Sequence, residues 1–225
     1  MDKLTGKVFR TSIRNVATQK AFYDLQTETG MKTMEPGLGR LESEVAPLIA
    51  RIRTDESIAF LREVDREMIA LFAMVQHQRT TNYREKVAQM NVDLLAKIRR
   101  MGFDTADIDG IKEFQDDDIR RFALQSIEMA VQFVPHILDK AWILAGTSIG
   151  DEFYLGDNPV TLQNRKDFGP YGNLGFAVPG IEIYLPLSSK LCLAWFSVSF
   201  IEEFYNGLEI AQRLKVDLPA ERSSH

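Results

Sequence analysis

Apolar side chains recur along this chain with two different periods, and the change from one to the other divides it. From Leu41 to Ile98 the spacing is helical, three or four residues between apolar positions. Leu41, Val45, Leu48 and Ile52 predict a helix from Leu38 or Gly39 to Arg53, with Pro47 placed to kink it. The preceding Glu-Pro-Gly-Leu-Gly stretch, Glu35 to Gly39, reads as a break. Thr54 to Ser57, Thr-Asp-Glu-Ser, reads as the entry of a second helix. Its expected inward stripe is Leu61, Val64, Met68, Leu71, Phe72 and Val75. Beyond Arg79 either this helix continues to Met101 or it breaks at Arg-Thr-Thr-Asn and a new one starts. Tyr83, Val87, Met90, Leu94 and Ile98 are its later inward positions.

A polar, acidic stretch from Phe103 to Asp118 separates these helices from the next, which starts at Asp117 or Asp118. Phe122, Ile127, Ala130, Val131 and Val134 mark its buried side, and Pro135 interrupts it. After Pro135 the chain either resumes helix or begins a strand at Ala-Trp-Ile-Leu-Ala-Gly. From residue 150 alternation takes over. Glu152–Gly156 and Pro159–Gln163 read as strands about a tight connection, followed by a Gly- and Pro-rich loop. Ile181, Ile183, Leu185 and Leu187 share one face, as do Leu191, Leu193 and Trp195, with Ser188-Ser189 as the turn between. A final helix is expected over Ile201–Leu214. Near the N-terminus, residues 7–13 suit a short strand and residues 19–27 are ambiguous. The order is α+β: a mainly helical first two-thirds packed on a small, antiparallel C-terminal sheet of about three to five strands, closed by a helix. Residues 1–217 are read as one domain and 218–225 as a flexible tail.

Composition narrows the function classes. The 225 residues carry a net charge of −5, so there is no bulk signature for nucleic acid. The one cysteine, Cys192, lies in an apolar run, which makes it a small buried hydrophobe and rules out an internal disulfide. No run approaches the roughly 20 apolar residues of a membrane span, and the first residues do not read as a signal peptide. A cytoplasmic protein without membrane association is the expectation. No zinc-like His/Cys spacing, nucleophile elbow, P-loop or dinucleotide fingerprint is present. Asp104, Asp107 and Asp109 miss the register of a calcium loop.

The residues that could carry chemistry lie in two fragments. In Tyr154–Leu162, Gly156 frees the backbone, Pro159 biases Asn158 toward extended geometry, and Asp157 is either a turn stabiliser or a carboxylate presented at a strand end. In Val75–Arg84, Met68, Phe72 and Val75 lead by helical steps to Arg79, whose charge needs an acceptor. Asp157, Glu42 and Glu44 are its candidates, and Arg84 and Lys86 could enlarge the positive patch. His77 and His136, the internal histidines, form no recognised motif. Arg165, Tyr171 and Phe176 could line a recognition loop, although an ordinary Gly-rich connection also accounts for them.

Four stretches together resemble a bacterial family of unknown function, the one numbered 4238: Glu35–Ile52, Phe72–Arg84, Phe153–Leu162 and Ile181–Trp195. The resemblance runs across most of residues 10 to 210 and singles out Glu35, Glu42, Arg79, Thr80, Asp157, Pro159, Pro186 and Leu187, with Asn206 in the late helix. It implies helices followed by a β-rich segment and names no substrate or reaction. Members typically open with a His-x-x-Pro type segment that has no counterpart here: either the chain is a shortened member or the site has lost that histidine, and in the second case an activity that needs it would be missing.

Two functions follow. In the first, the chain is a noncatalytic interaction or structural protein that engages a protein partner, with Arg79, Asp157, Asn158 and Pro159 as a structural network. In the second, it is a metal-assisted hydrolase or nuclease-like phosphodiester enzyme acting on a small anionic ligand. Asp157, Glu42 and Glu44 would then hold a divalent metal, and Asp157, Arg79 and Glu42 would be catalytic. An exposed apolar face on the helix around residues 83–98 would favour the first.

Overall fold

The first long helix begins earlier than the Pro-Gly stretch suggests. In a computed structural model, which describes residues 24–27, 30–105, 108, 110–148, 150–165, 175–198, 200–201 and 215–217, helix α1 spans Glu35–Asp55. Pro36 falls in the first turn, where a backbone N–H has no intrahelical acceptor to lose. The Thr33 hydroxyl accepts from the Glu35 N–H at 3.3 Å and closes the helix start. Pro47 is carried inside α1, and Leu38, Val45 and Ile52 form its buried seam. Glu56, with φ 45°, turns the chain out of α1.

Helix α2 spans Glu63–Gln78. The expected entry at Thr54–Ser57 lies instead at the end of α1 and in the turn beyond it, where the Thr54 hydroxyl donates back to the Ala50 carbonyl. The true N-terminus is Arg62: Asp65 accepts from its backbone N–H at 3.0 Å and from its guanidinium at 2.9 Å. Buried Ile58 and Leu61 occupy the connecting turn. The inward stripe of α2 is rotated from the expected one. Ile69, Ala70, Ala73, Met74 and Val75 are buried, whereas Val64 is exposed.

The chain breaks after Gln78, and α3 runs Thr81–Arg100. It is followed by α4, Asp116–Met129, a 3-10 turn, Ala130–Phe133, and the short α5, Val134–Leu138. Val131, expected inside, is exposed. Polar Asn91 is inside α3: its Nδ2 donates to the Lys112 carbonyl at 3.1 Å and its Oδ1 accepts from the Phe114 N–H at 2.9 Å. That side chain satisfies two backbone groups of the long acidic connection and ties it to α3. Val87 and Ile98 are buried as expected, whereas Met90 and Leu94, also expected to face inward, are exposed, and Asn91 and Leu95 are buried in their place.

Ala141–Gly146 is strand β3. With β4 (Thr161–Asn164), β5 (Ile181–Pro186), β6 (Leu191–Phe196) and β7 (Lys215–Asp217) it forms a sheet ordered β4-β5-β6-β3-β7, every neighbouring pair antiparallel. The fold is thus α+β, with the helices ahead of a small antiparallel sheet. Register sets Trp142 opposite Trp195 and Leu144 opposite Leu193, and Ile183 opposite Trp195. The two indoles meet edge to face at 5.2 Å, and the Arg66 guanidinium of α2 lies over Trp142 at 5.2 Å. Each large side chain buried on this face contributes about 1.5–3 kcal/mol. Residues 152–156 form no strand: Phe153 N–H reaches the Ser189 carbonyl, while Tyr154 and Leu155 are exposed.

In the first compact unit, Met1–Pro36, β1 (Asp24–Thr27) and β2 (Gly30–Thr33) pair antiparallel, with Thr27 opposite Gly30. All of the elements from α2 onward belong to the second unit, Gly37–His225. The expected strand at residues 7–13 and most of the helix at Ile201–Leu214 lie outside the described residues.

Candidate functional site

The two fragments singled out in the sequence meet. His77, near the end of α2, sets its Nδ1 3.4 Å from the carbonyl oxygen of Val160, the residue after Pro159. A carbonyl accepts only, so Nδ1 carries the proton and the neutral ring is the Nδ1–H tautomer. Tyr83 and Phe176 meet the imidazole edge to face, at 5.7 and 5.4 Å. Burial lowers the His77 pKa to about 4, the Lys86 charge adds to the shift, and the Val160 carbonyl opposes it.

The joint between α2 and α3 is built from backbone needs. Arg79 N–H donates to the Val75 carbonyl at 3.0 Å and ends α2. Thr80, buried and in extended geometry, caps α3. Its hydroxyl accepts from the Tyr83 N–H at 3.1 Å and donates to the His77 carbonyl at 2.8 Å. One side chain therefore satisfies groups at the end of one helix and the start of the next. The Tyr83 hydroxyl donates to Ser126 at 2.9 Å and ties the start of α3 to α4.

Arg79 pairs with Glu42 on α1 through Nη1 and Oε1, and Gln76 Nε2 donates to the same carboxylate oxygen at 3.4 Å. The pair is partly wet, with side-chain exposures of 28% and 47%. Glu44 is exposed. Two residues apart on one helix, Glu42 and Glu44 point about 160° apart and cannot close on one ion. Asp157 is exposed as well, with Asn158 and Pro159 half-buried beneath it. Among the described residues no group of three or more His, Cys, Asp or Glu side chains could hold a metal ion. Gly156 does not have positive φ, and an added Cβ there would meet nothing within 4 Å, so the Gly-Asp-Asn-Pro turn does not depend on it. Arg84 is engaged with the Thr81 hydroxyl at 2.9 Å.

A second polar cluster, absent from the sequence reading, lies on the other face of the sheet. Glu182 on β5 is 1% exposed. Its Oε2 accepts from the Tyr184 hydroxyl at 2.5 Å. Its Oε1 lies 3.0 Å from Nε of Arg165, an ion pair by distance, without an N–H aimed at it. Burial, reinforced by the neighbouring carboxylate, pushes the Tyr184 pKa above the usual phenol range. Arg165 also covers the Phe200 ring at 5.0 Å, which stacks on Phe196. Alternation along β5 placed Glu182 opposite the Ile181 face, but no local signal marked it as buried. Cys192 is buried as expected, and burial pushes its thiol up to about 11. Of the residues read as a recognition loop, Phe176 packs on His77, Arg165 joins this second cluster, and Tyr171 lies outside the described residues. No helix among the described residues is long and apolar enough to cross a membrane.

The chain belongs to the family described as "Protein of unknown function (DUF4238)", whose model matches residues 1–210. No curated protein and no solved structure matches it.

Proposed function

We propose that this member of the family is a noncatalytic cytoplasmic interaction module that presents one edge of α3 to a protein partner. The observation that carries this reading is the exposure of Met90 (53%), Leu94 (47%), Met101 (58%) and Phe103 (59%). Met90 and Leu94 lie one turn apart on the same edge of α3, and Met101 and Phe103 follow just past its last residue, Arg100, so they are not scattered positions. Singly exposed apolar residues are ordinary, but a contiguous row marks an interaction surface. In the same reading Arg79, Glu42, Asp157, Asn158 and Pro159 belong to a structural network around the α2–α3 joint.

The test is site-specific. A photoreactive side chain at position 94 in living cells is expected to trap a discrete protein adduct. Exposed Gln89 serves as the control position, where no such adduct is expected, and Met90→Ser should abolish the adduct at 94. The Met90→Ser/Leu94→Ser variant should keep its urea midpoint, because surface changes usually stay within about 0.5 kcal/mol. Equal adducts at 89 and 94, or a stability loss above about 1 kcal/mol, would refute the reading.

A further inference from the structure

A groove runs along α1. Its first half, of about 350 Å³, is lined by Ala46, Ile49 and Ala50 of α1 and Phe72 of α2, with Glu42 and Gln76 at one end. Its second half, of about 470 Å³, shares Ala50 and Arg53 with the first and reaches Lys190 and Ser188 at the β5–β6 turn. Glu42 and Arg53 stand three helical turns apart on α1, about 16 Å. Ala46 and Ala50, one turn apart and both exposed, carry no side chain beyond Cβ to hold a partner backbone away.

The charges along the groove are unequal. Arg51, on the neighbouring turn, pairs with Asp55 at 3.1 Å and lies over the Phe60 ring. Lys190 holds the Asp151 carbonyl at 2.8 Å and lies 3.5 Å from the Glu152 carboxylate. Arg53 makes no hydrogen bond or ion pair among the described residues, while Glu56 is the one carboxylate lining that half. At the far end, the Glu42 carboxylate is engaged by Arg79. The first half, open and apolar-floored, ends in the cation Arg53, which suits the negative C-terminal carbonyls of a helix.

We propose that this groove docks an amphipathic helix of a protein partner, about three turns long and parallel to α1. Its apolar residues, at i, i+4 and i+7, lie on Ala46, Ile49 and Phe72. Its acidic last turn reaches Arg53. This site is independent of the exposed row on α3. The probe is a fluorescein-labelled peptide of about 14 residues with Leu at the anchor positions and Glu on the flanks and last turn, compared with a twin carrying Lys in place of Glu. Fluorescence anisotropy should show the acidic peptide binding at least about tenfold tighter than its twin. Ala50→Arg, which fills the floor, and Arg53→Glu, which reverses the end charge, should each weaken it about tenfold or more. Leu94→Ser should leave it unchanged, which separates failure of this site from failure of the α3 surface. Circular dichroism checks that the variants are folded; both positions are exposed. No saturation by about 1 mM, equal binding of the twins, binding that survives both substitutions, or a fatty acid that binds where the acidic peptide does not, would each overturn the proposal.

Discussion

His77 should make this protein lose stability in mild acid, at a pH where its carboxylates do not. An exposed histidine titrates near 6.5, and in the folded chain burial holds His77 at about 4. Between those values the unfolded chain binds a proton that the native state refuses. The contribution of the neutral ring is therefore complete above pH 6.5, falls as the pH drops toward 4, and is exhausted below it. At pH 5 the loss comes to about 2 kcal/mol, and at full displacement about 3 kcal/mol. With a urea slope of roughly 2 kcal/mol/M, the midpoint should fall by about 1 M between pH 7.5 and pH 5. Asp65, held at about 2 by hydrogen bonds from Arg62, and Asp118, lowered by Lys112, lose their contributions only at lower pH. His77→Gln keeps a donor for the Val160 carbonyl and removes the titration. It gives up the two edge-to-face ring contacts, at about 0.5–1.5 kcal/mol each, so it should be less stable than the parent at pH 7.5 and nearly flat down to pH 5. Paired urea titrations at the two pH values decide the matter. If parent and variant lose the same midpoint, His77 does not carry the acid sensitivity and the burial argument fails.

Arg79→Ala should cost only about 0–1 kcal/mol in urea unfolding, because its pair with Glu42 is partly exposed and screened; a loss of 3 kcal/mol or more would show that the guanidinium is buried in solution. Tyr184→Phe removes the hydroxyl that donates to the Oε2 of buried Glu182 and should cost about 1–3 kcal/mol; a change under 0.5 kcal/mol would mean that water reaches that carboxylate.

Much of the fold could be read where burial is two-sided or strictly periodic. The α1 seam, the alternation in β5 and β6 and the α+β order depend on spacing alone. The misreadings share one physical cause: a polar side chain takes a structural role that hydrophobicity cannot register. Asn91 is drawn inside because two loop backbone groups need its amide, and that turns Met90 and Leu94 outward. Arg62 stands at a helix start although arginine is a poor cap, because Asp65 supplies the acceptor. Thr54 and Ser57 look like caps, but the buried pair Ile58 and Leu61 moves the helix start beyond them. Glu182 reads as a solvent-facing strand residue because the residues that enclose it lie elsewhere in the chain. Arg79 was legible as a cation in need of an acceptor, and Glu42 was among its candidates. His77 was not, because its partner Val160 lies 83 residues away.

That distant contact brings the two fragments together through a backbone carbonyl, and among the described residues no group of three or more His, Cys, Asp or Glu side chains accompanies it. Four of the residues that the family resemblance singles out, Arg79, Thr80, Asp157 and Pro159, stand within three residues in sequence of the His77–Val160 contact. Thr80 fixes the angle between α2 and α3 through its two hydrogen bonds. Pro159 precedes the carbonyl that His77 holds. Glu42 is engaged by Arg79 and Gln76, and Glu44 points away from it on the same helix. The carboxylates of the group are thus the wet ones, while its inner members are a half-buried neutral imidazole, a buried hydroxyl and a backbone carbonyl. In such an arrangement hydrogen bonding and exclusion of water hold the junction, and ionic attraction adds little. Loosening the joint would also disturb the angle at which α3 leaves it, and α3 carries both Asn91 on its inner side and the exposed apolar row on its outer edge. In the function proposed above, Arg79, Thr80, Asp157 and Pro159 are the fixture that aims that surface.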